Sequence, residues 1–138
     1  MSARISIRQA DRSDIARLRW VRRRGSDQWV FASPLGNEVA RIESDAHGAK
    51  LVRAGGASEE APSFEELTGR VLGIPLDPAQ LTAWLHGRPA SGNLPAEWKV
   101  TIDESQPAGA VDLARRLTAQ RGDIVVKLVV DEYRVLED

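Results

Sequence analysis

The chain has 138 residues, 42% of them hydrophobic, which suits one core and is too short for two domains of ordinary size. Nineteen basic against twenty acidic residues leave a net charge of −1, which argues against a protein whose main task is neutralising phosphates, so no nucleic-acid partner is expected. There is no cysteine, no apolar run approaches the ~18 residues of a membrane-spanning helix, and the first residues lack the apolar stretch of a signal peptide.

The first half alternates at period two. Over 3–9, Ile5 and Ile7 share one side against Arg4, Ser6 and Arg8. Asp11-Arg12-Ser13-Asp14 reads as a polar turn, after which Ala16, Leu18 and Trp20 oppose Arg17 and Arg19. Gly25 supplies the positive φ of the next turn. Residues 28–32 bring Trp29 and Phe31 to one face; Ser33-Pro34-Leu35-Gly36 interrupts pairing; strands over 38–43 and 49–53 flank the turn His47-Gly48. Strands of about six residues with a turn signal every ten or so form a meander.

The period then changes. Ser63-Phe64-Glu65-Glu66 is a capping box, and Phe64, Leu67 and Val71 line one face of a helix ended by Gly73-Ile74-Pro75. Asp77 caps a second helix with Pro78 at its first position; Leu81, Trp84 and Leu85 are its apolar stripe and Gly87 its terminator. Strand patterns return over 98–103, 114–120 and 124–131. In the last, Ile124, Val126, Leu128 and Val130 share a face while Val125 and Val129 occupy the other, as in a strand covered on both sides or lining a cavity. Residues 55–60 and 105–110 are expected to be loops.

Chemistry is sparse. His47 lies in a turn and His86 in the last turn of a helix, where the dipole favours a cation, so both have structural readings. Metal-ligand spacings, nucleophile elbows and phosphate-binding loops are absent from the sequence, and Glu59-Glu60, Glu65-Glu66 and Asp131-Glu132 are adjacent pairs whose side chains diverge. No catalytic residue, metal or cofactor is expected. Arg17, Arg19, Arg22, Arg23 and Arg24 are a stronger candidate: a solvated face, or a docking surface for an acidic protein or an anionic membrane. An RNA surface would need exposed aromatics among them, and only Trp20 is near. What remains is a curved sheet covered by helices, closing over either packed side chains or an apolar ligand.

The order of short motifs is recognisable. Trp20, Trp29-Val30-Phe31-Ala32-Ser33-Pro34-Leu35-Gly36 and Val39-Ala40-Arg41-Ile42 are followed by Leu72-Gly73-Ile74-Pro75-Leu76 and Leu81-Thr82-Ala83-Trp84-Leu85-His86-Gly87-Arg88-Pro89. Glu97-Trp98-Lys99-Val100, Leu117-Thr118 and the closing 122–130 run complete the series. In this order they resemble the outer-membrane lipoprotein receptors of the LolB family over nearly the whole chain.

The resemblance implies one domain over 1–138, mainly β with α: a half-open, strongly curved antiparallel sheet, an incomplete barrel, with two short helices covering its concave side. It implies a non-enzymatic, monomeric receptor at the periplasmic face of the outer membrane, taking lipoproteins from a LolA-like periplasmic carrier and placing them in the inner leaflet. Acyl chains would lie against Trp20, Trp29, Phe31, Leu81, Trp84, Leu85 and Leu128. The loop Pro34-Leu35-Gly36 would present an exposed leucine for membrane delivery. Three features depart from the family: the signal peptide with its lipid-bearing cysteine, the helix before the first strand, and a longer segment between Pro89 and Trp98. The third implies a smaller sheet and a shallower or more open cavity. The alternative on the same scaffold is a structural or protein-interaction domain with a filled core.

Overall fold

The computed structural model describes residues 1–76, 78–86, 98–108 and 111–133. The alternating segments form β1 (Ser2–Gln9), β2 (Arg12–Arg23), β3 (Ser26–Ala32), β4 (Glu38–Asp45), β5 (Gly48–Arg53) and β6 (Ser58–Ala61). The helices α1 (Phe64–Leu72) and α2 (Pro78–Leu85) follow, then β7 (Lys99–Ala108), β8 (Val111–Arg121) and β9 (Ile124–Glu132). All strands join one antiparallel sheet in the order β6-β5-β4-β3-β2-β1-β9-β8-β7, so β1 against β9 unites the two halves. The edges β6 and β7 stay apart and the sheet is open, as expected of an incomplete barrel.

Cross-strand register sorts the side chains. Trp20, Trp29, Ile42 and Leu51 lie opposite one another on β2 to β5 and are all buried. The neighbouring row on the other face is Arg19, Val30, Arg41 and Val52. A one-residue slip would exchange these rows, so the apolar face pins the register. Ile5, Leu128 and Leu117 continue the inner face across β1, β9 and β8.

Both segments expected to be loops contain strand. Residues 58–61 form β6 and 105–108 complete β7, and these are the two edges of the sheet. An edge strand tolerates Ser-Glu-Glu and Pro107 because one side of its backbone needs no partner, which is why the composition looked loop-like. The first turn is also tighter than expected: Gln9 pairs with Arg12, so only Ala10 and Asp11 turn and Arg12 already belongs to β2.

Helix α1 is fixed at both ends. The Glu66 amide donates to Ser63 Oγ at 3.4 Å, and Gly73 closes the helix with φ 83°, which a residue with a Cβ rarely adopts. Phe64, Leu67, Thr68 and Leu72 are buried, with Val71 half-buried beside them. Glu59 on β6 accepts from Arg53 at 3.2 Å and Arg70 at 3.0 Å, tying the helix to the sheet edge. Helix α2 packs over β8 and buries Pro78, Leu81, Ala83, Trp84 and Leu85. The expected caps Asp77 and Gly87, and the segment before Trp98 except that residue, lie outside the described residues. No helix among the described residues is long and apolar enough to cross a membrane.

Candidate functional site

The concave face gathers every side chain expected there: Trp20, Trp29, Phe31, Leu81, Trp84, Leu85 and Leu128 are buried in one apolar cluster. Their burial follows the alternation and the helical stripe, and the rings pair as follows. The ring over Trp29 is Phe64 of α1, 4.8 Å away and edge-on, with Trp20 at 5.8 Å and Phe31 at 6.1 Å. Trp84 of α2 instead meets Trp98 at 5.0 Å, and the Arg121 guanidinium sits 4.9 Å from that ring. Two aromatic nodes thus lie on this face, one at each helix. Phe64 and Trp98 were visible as motif residues, but nothing in their spacing assigned them to this site.

The two nodes share an unusual polar feature. Trp29 and Trp84 are each 0% exposed, and their indole N–H groups have no acceptor among the described residues. A buried donor left unpaired costs about 1–3 kcal/mol. Trp20 is different: its Nε1 donates to Asp27 Oδ1 at 2.9 Å. Asp27 also holds the Arg22 guanidinium at 3.7 Å, so the concave face ends in a small polar rim at the β2–β3 turn.

The loop 33–37 projects as its composition predicts. The Gly36 amide closes on Ser33 O at 2.8 Å and Ser33 N on Asn37 O at 2.8 Å, leaving Leu35 89% exposed at the tip.

The five arginines do not form one surface. Arg17 and Arg19 point outward from β2, opposite Ala32 and Val30, near the Leu35 loop. Arg22, at the end of the strand, shares the parity of Trp20 and so belongs to the other face, where it is paired with Asp27. Arg23 pairs in register with Ser26 at the far end of β2, about 20 Å from Arg17 at ~3.3 Å per residue. Arg24 lies exposed in the turn itself. Two depressions mark the outer face. One of ≈ 870 Å³ runs along the row Val21, Gln28, Glu43, Lys50 and Glu60, with mixed charge. The other, of ≈ 630 Å³, is lined by Arg4, Arg17, Arg19 and Val30 and reaches Gly36.

Comparison with known proteins agrees with this architecture. A family profile described as "Outer membrane lipoprotein LolB" matches residues 1–133. The chain is 30% identical over 144 residues to the outer-membrane lipoprotein LolB of Chromobacterium violaceum, covering 97% of this chain and 79% of that one. It is 32% identical over 142 residues to the protein of that name in Dechloromonas aromatica (91% and 73% covered), and 26% identical over 151 residues to that in Azoarcus sp. (99% and 78%). The chain belongs to the outer-membrane lipoprotein LolB family.

Proposed function

We propose that this chain, acting as one unit, is a non-enzymatic lipoprotein receptor at the periplasmic face of the outer membrane, which shelters acyl chains on its concave side and releases them into the inner leaflet. The observation that carries this reading is an apolar inner face, continuous across the sheet, covered by two short helices instead of a second sheet. A helix held mainly by side-chain packing separates without breaking a strand ladder, so the cover opens at lower cost than the sheet does. Each methylene then buried contributes about 0.8 kcal/mol. The unpaired indole N–H groups of Trp29 and Trp84 are donors for the ester carbonyls at the root of the acyl chains. Transfer needs no fuel when the bilayer is the deeper well.

Cargo arrives from a LolA-like carrier. The rim arginines Arg22, Arg23 and Arg24 stand at the end of the sheet opposite Leu35, which leaves one end for the carrier and the other for the bilayer. Charge there raises the rate of encounter more than the final affinity. At the opposite end, Pro34, Leu35 and Gly36 form the delivery loop.

A second reading, an interaction domain with a permanently filled core, is favoured by the complete burial of Trp29, Leu81 and Trp84. Displacement of a lipophilic dye by a diacylated lipopeptide separates the two. Saturable uptake that Trp84→Ala alters supports the receptor; no uptake by the folded protein supports the interaction domain.

A further inference from the structure

We infer that the outer-face groove beside the Leu35 loop is a headgroup site for anionic phospholipid of the bilayer, and that Ile15 enters the membrane together with Leu35. This rests on the reading of Leu35 as the membrane-facing tip, and it is carried by three features of the same end of the sheet.

The first is an overhang. Strand β3 ends at Ala32, opposite Arg17, while β2 continues back to Arg12. Residues 12–16 therefore pair with β1 alone, and the Leu35 loop leaves β3 directly beside them. Ile15 lies two residues beyond the Arg17–Ala32 pair, on the outer face, and is 60% exposed. Ile15, on β2, and Leu35, in the loop that leaves the adjacent β3, thus stand at the same end of the sheet. Single exposed apolar residues are ordinary, whereas two at one projecting end, within a basic field, are the composition of a bilayer contact.

The second is unspent charge. Around Ile15, register places Ser6 opposite, Arg4 and Arg8 on β1 diagonally, and Arg17 two residues along. Lys127 of β9 follows beyond Ser6. Arg8, Arg17, Arg19 and Lys127 make no ion pair among the described residues. The groove's two carboxylates are already engaged: Glu38 accepts from Arg41 at 2.9 Å, and Asp131 faces Arg4 at 3.5 Å. Of the other acids at this end, Asp14 precedes Ile15 on the opposite face of β2 and faces Arg12 at 3.7 Å, and Asp11 lies in the β1–β2 turn. The local field is positive although the chain as a whole is close to neutral.

The third is shape. The depression of ≈ 630 Å³ has Val30 and Ala32 as its floor, Arg17 and Arg19 along it, and Gly36 of the loop at its end. Two guanidinium forks over a shallow apolar floor match a phosphodiester with its glycerol, since arginine pairs with phosphate oxygens bidentately. Anchored there, a headgroup lies at the level of the interface while Leu35 and Ile15 reach below it. This orientation turns the cargo-releasing end toward the leaflet.

Vesicle flotation at constant ionic strength tests the assignment, with phosphatidylcholine vesicles lacking or containing phosphatidylglycerol. The parent is expected to prefer the anionic vesicles. Arg17→Gln with Arg19→Gln, which keeps the aliphatic stems in part, should lower that partition about twenty-five-fold at roughly five-fold per arginine, with unchanged thermal unfolding and dye uptake. Ile15→Ser should weaken binding to both vesicle types several-fold. Inorganic phosphate should compete no better than chloride of equal ionic strength. The groove assignment is overturned if the double variant floats like the parent, if phosphate alone competes, or if the variant keeps its flotation but loses cargo uptake from the carrier, which would make the groove a protein dock. If Leu35→Glu floats like the parent while the double variant does not, the Leu35 reading fails and the groove stands.

Discussion

Thr68 offers the sharpest test of how the helical cover is held. It is the one polar residue among the buried side chains described, and its Oγ1 meets both backbone groups of Leu76 at 2.7 Å, accepting from the amide and donating to the carbonyl. The same hydroxyl lies 3.1 Å from Glu65 O within its own helix. Thr68 therefore pins the connection 73–76, which leads from α1 to α2, against α1. Thr68→Val keeps the shape and leaves two buried backbone groups unpaired at about 1–3 kcal/mol each, or roughly 2–6 kcal/mol in total. Against a typical stability of about 5–15 kcal/mol this is large but survivable. Thr68→Ser keeps the hydroxyl, loses one methyl group and should cost only about 1 kcal/mol. Urea unfolding gives the stability; the entry rate of a lipophilic dye gives the function, and it should rise in Thr68→Val as the connection to α2 loosens. A Thr68→Val protein within about 0.5 kcal/mol of the parent, with unchanged dye entry, would refute the reasoning.

Leu35→Glu should unfold like the parent, since the side chain is already exposed, and should bind lipopeptide normally while failing to deliver it to liposomes; delivery at the parental rate would remove the role assigned to the loop. Reversing Arg23 and Arg24 to Glu should slow capture of cargo from an acidic carrier more than it speeds dissociation, and parental capture should fall steeply with salt because exposed charges are screened beyond ~8–10 Å; stopped-flow measurement at two ionic strengths checks both. Burial holds the Tyr133 phenol well above its ordinary value of 10.0, with its hydroxyl donating to Ala114 O. The folded state therefore keeps a proton that the unfolded chain releases, so this contribution is full below pH 10 and declines above it; thermal melts should show an alkaline loss that is smaller in Tyr133→Phe.

The inner face was legible because burial imposes a strict period of two: Leu18, Trp20, Trp29, Phe31 and Ile42 all lie where alternation puts them. Helix α1 was legible from Ser63, Glu66 and Gly73, whose side-chain and φ preferences act locally. The edges were not, because β6 and β7 pair on one side only and their polar residues meet no packing demand. Nor were the partners of Trp29 and Trp84, since which helix lies over which strand depends on the path of the chain between elements. Arg22 shows a third limit. Read along the chain it belongs to a run with Arg23 and Arg24, yet strand parity turns it to the face of Trp20 and into contact with Asp27. The basic cluster seen in sequence was a feature of spacing, and the strand divides it between two faces and two ends.

Acyl chains held on the concave side would lie beneath the two helices. Photo-crosslinking with a diacylated lipopeptide carrying diazirines along its acyl chains, followed by mapping of the labelled residues, measures this directly. Labels are expected on the two aromatic nodes, Trp29 with Phe64 and Trp84 with Trp98, and on Leu128, with little on the outer face. Labels confined to the outer rows around Arg19 and Val52, or none on a protein that is folded and saturated with lipopeptide, would contradict it.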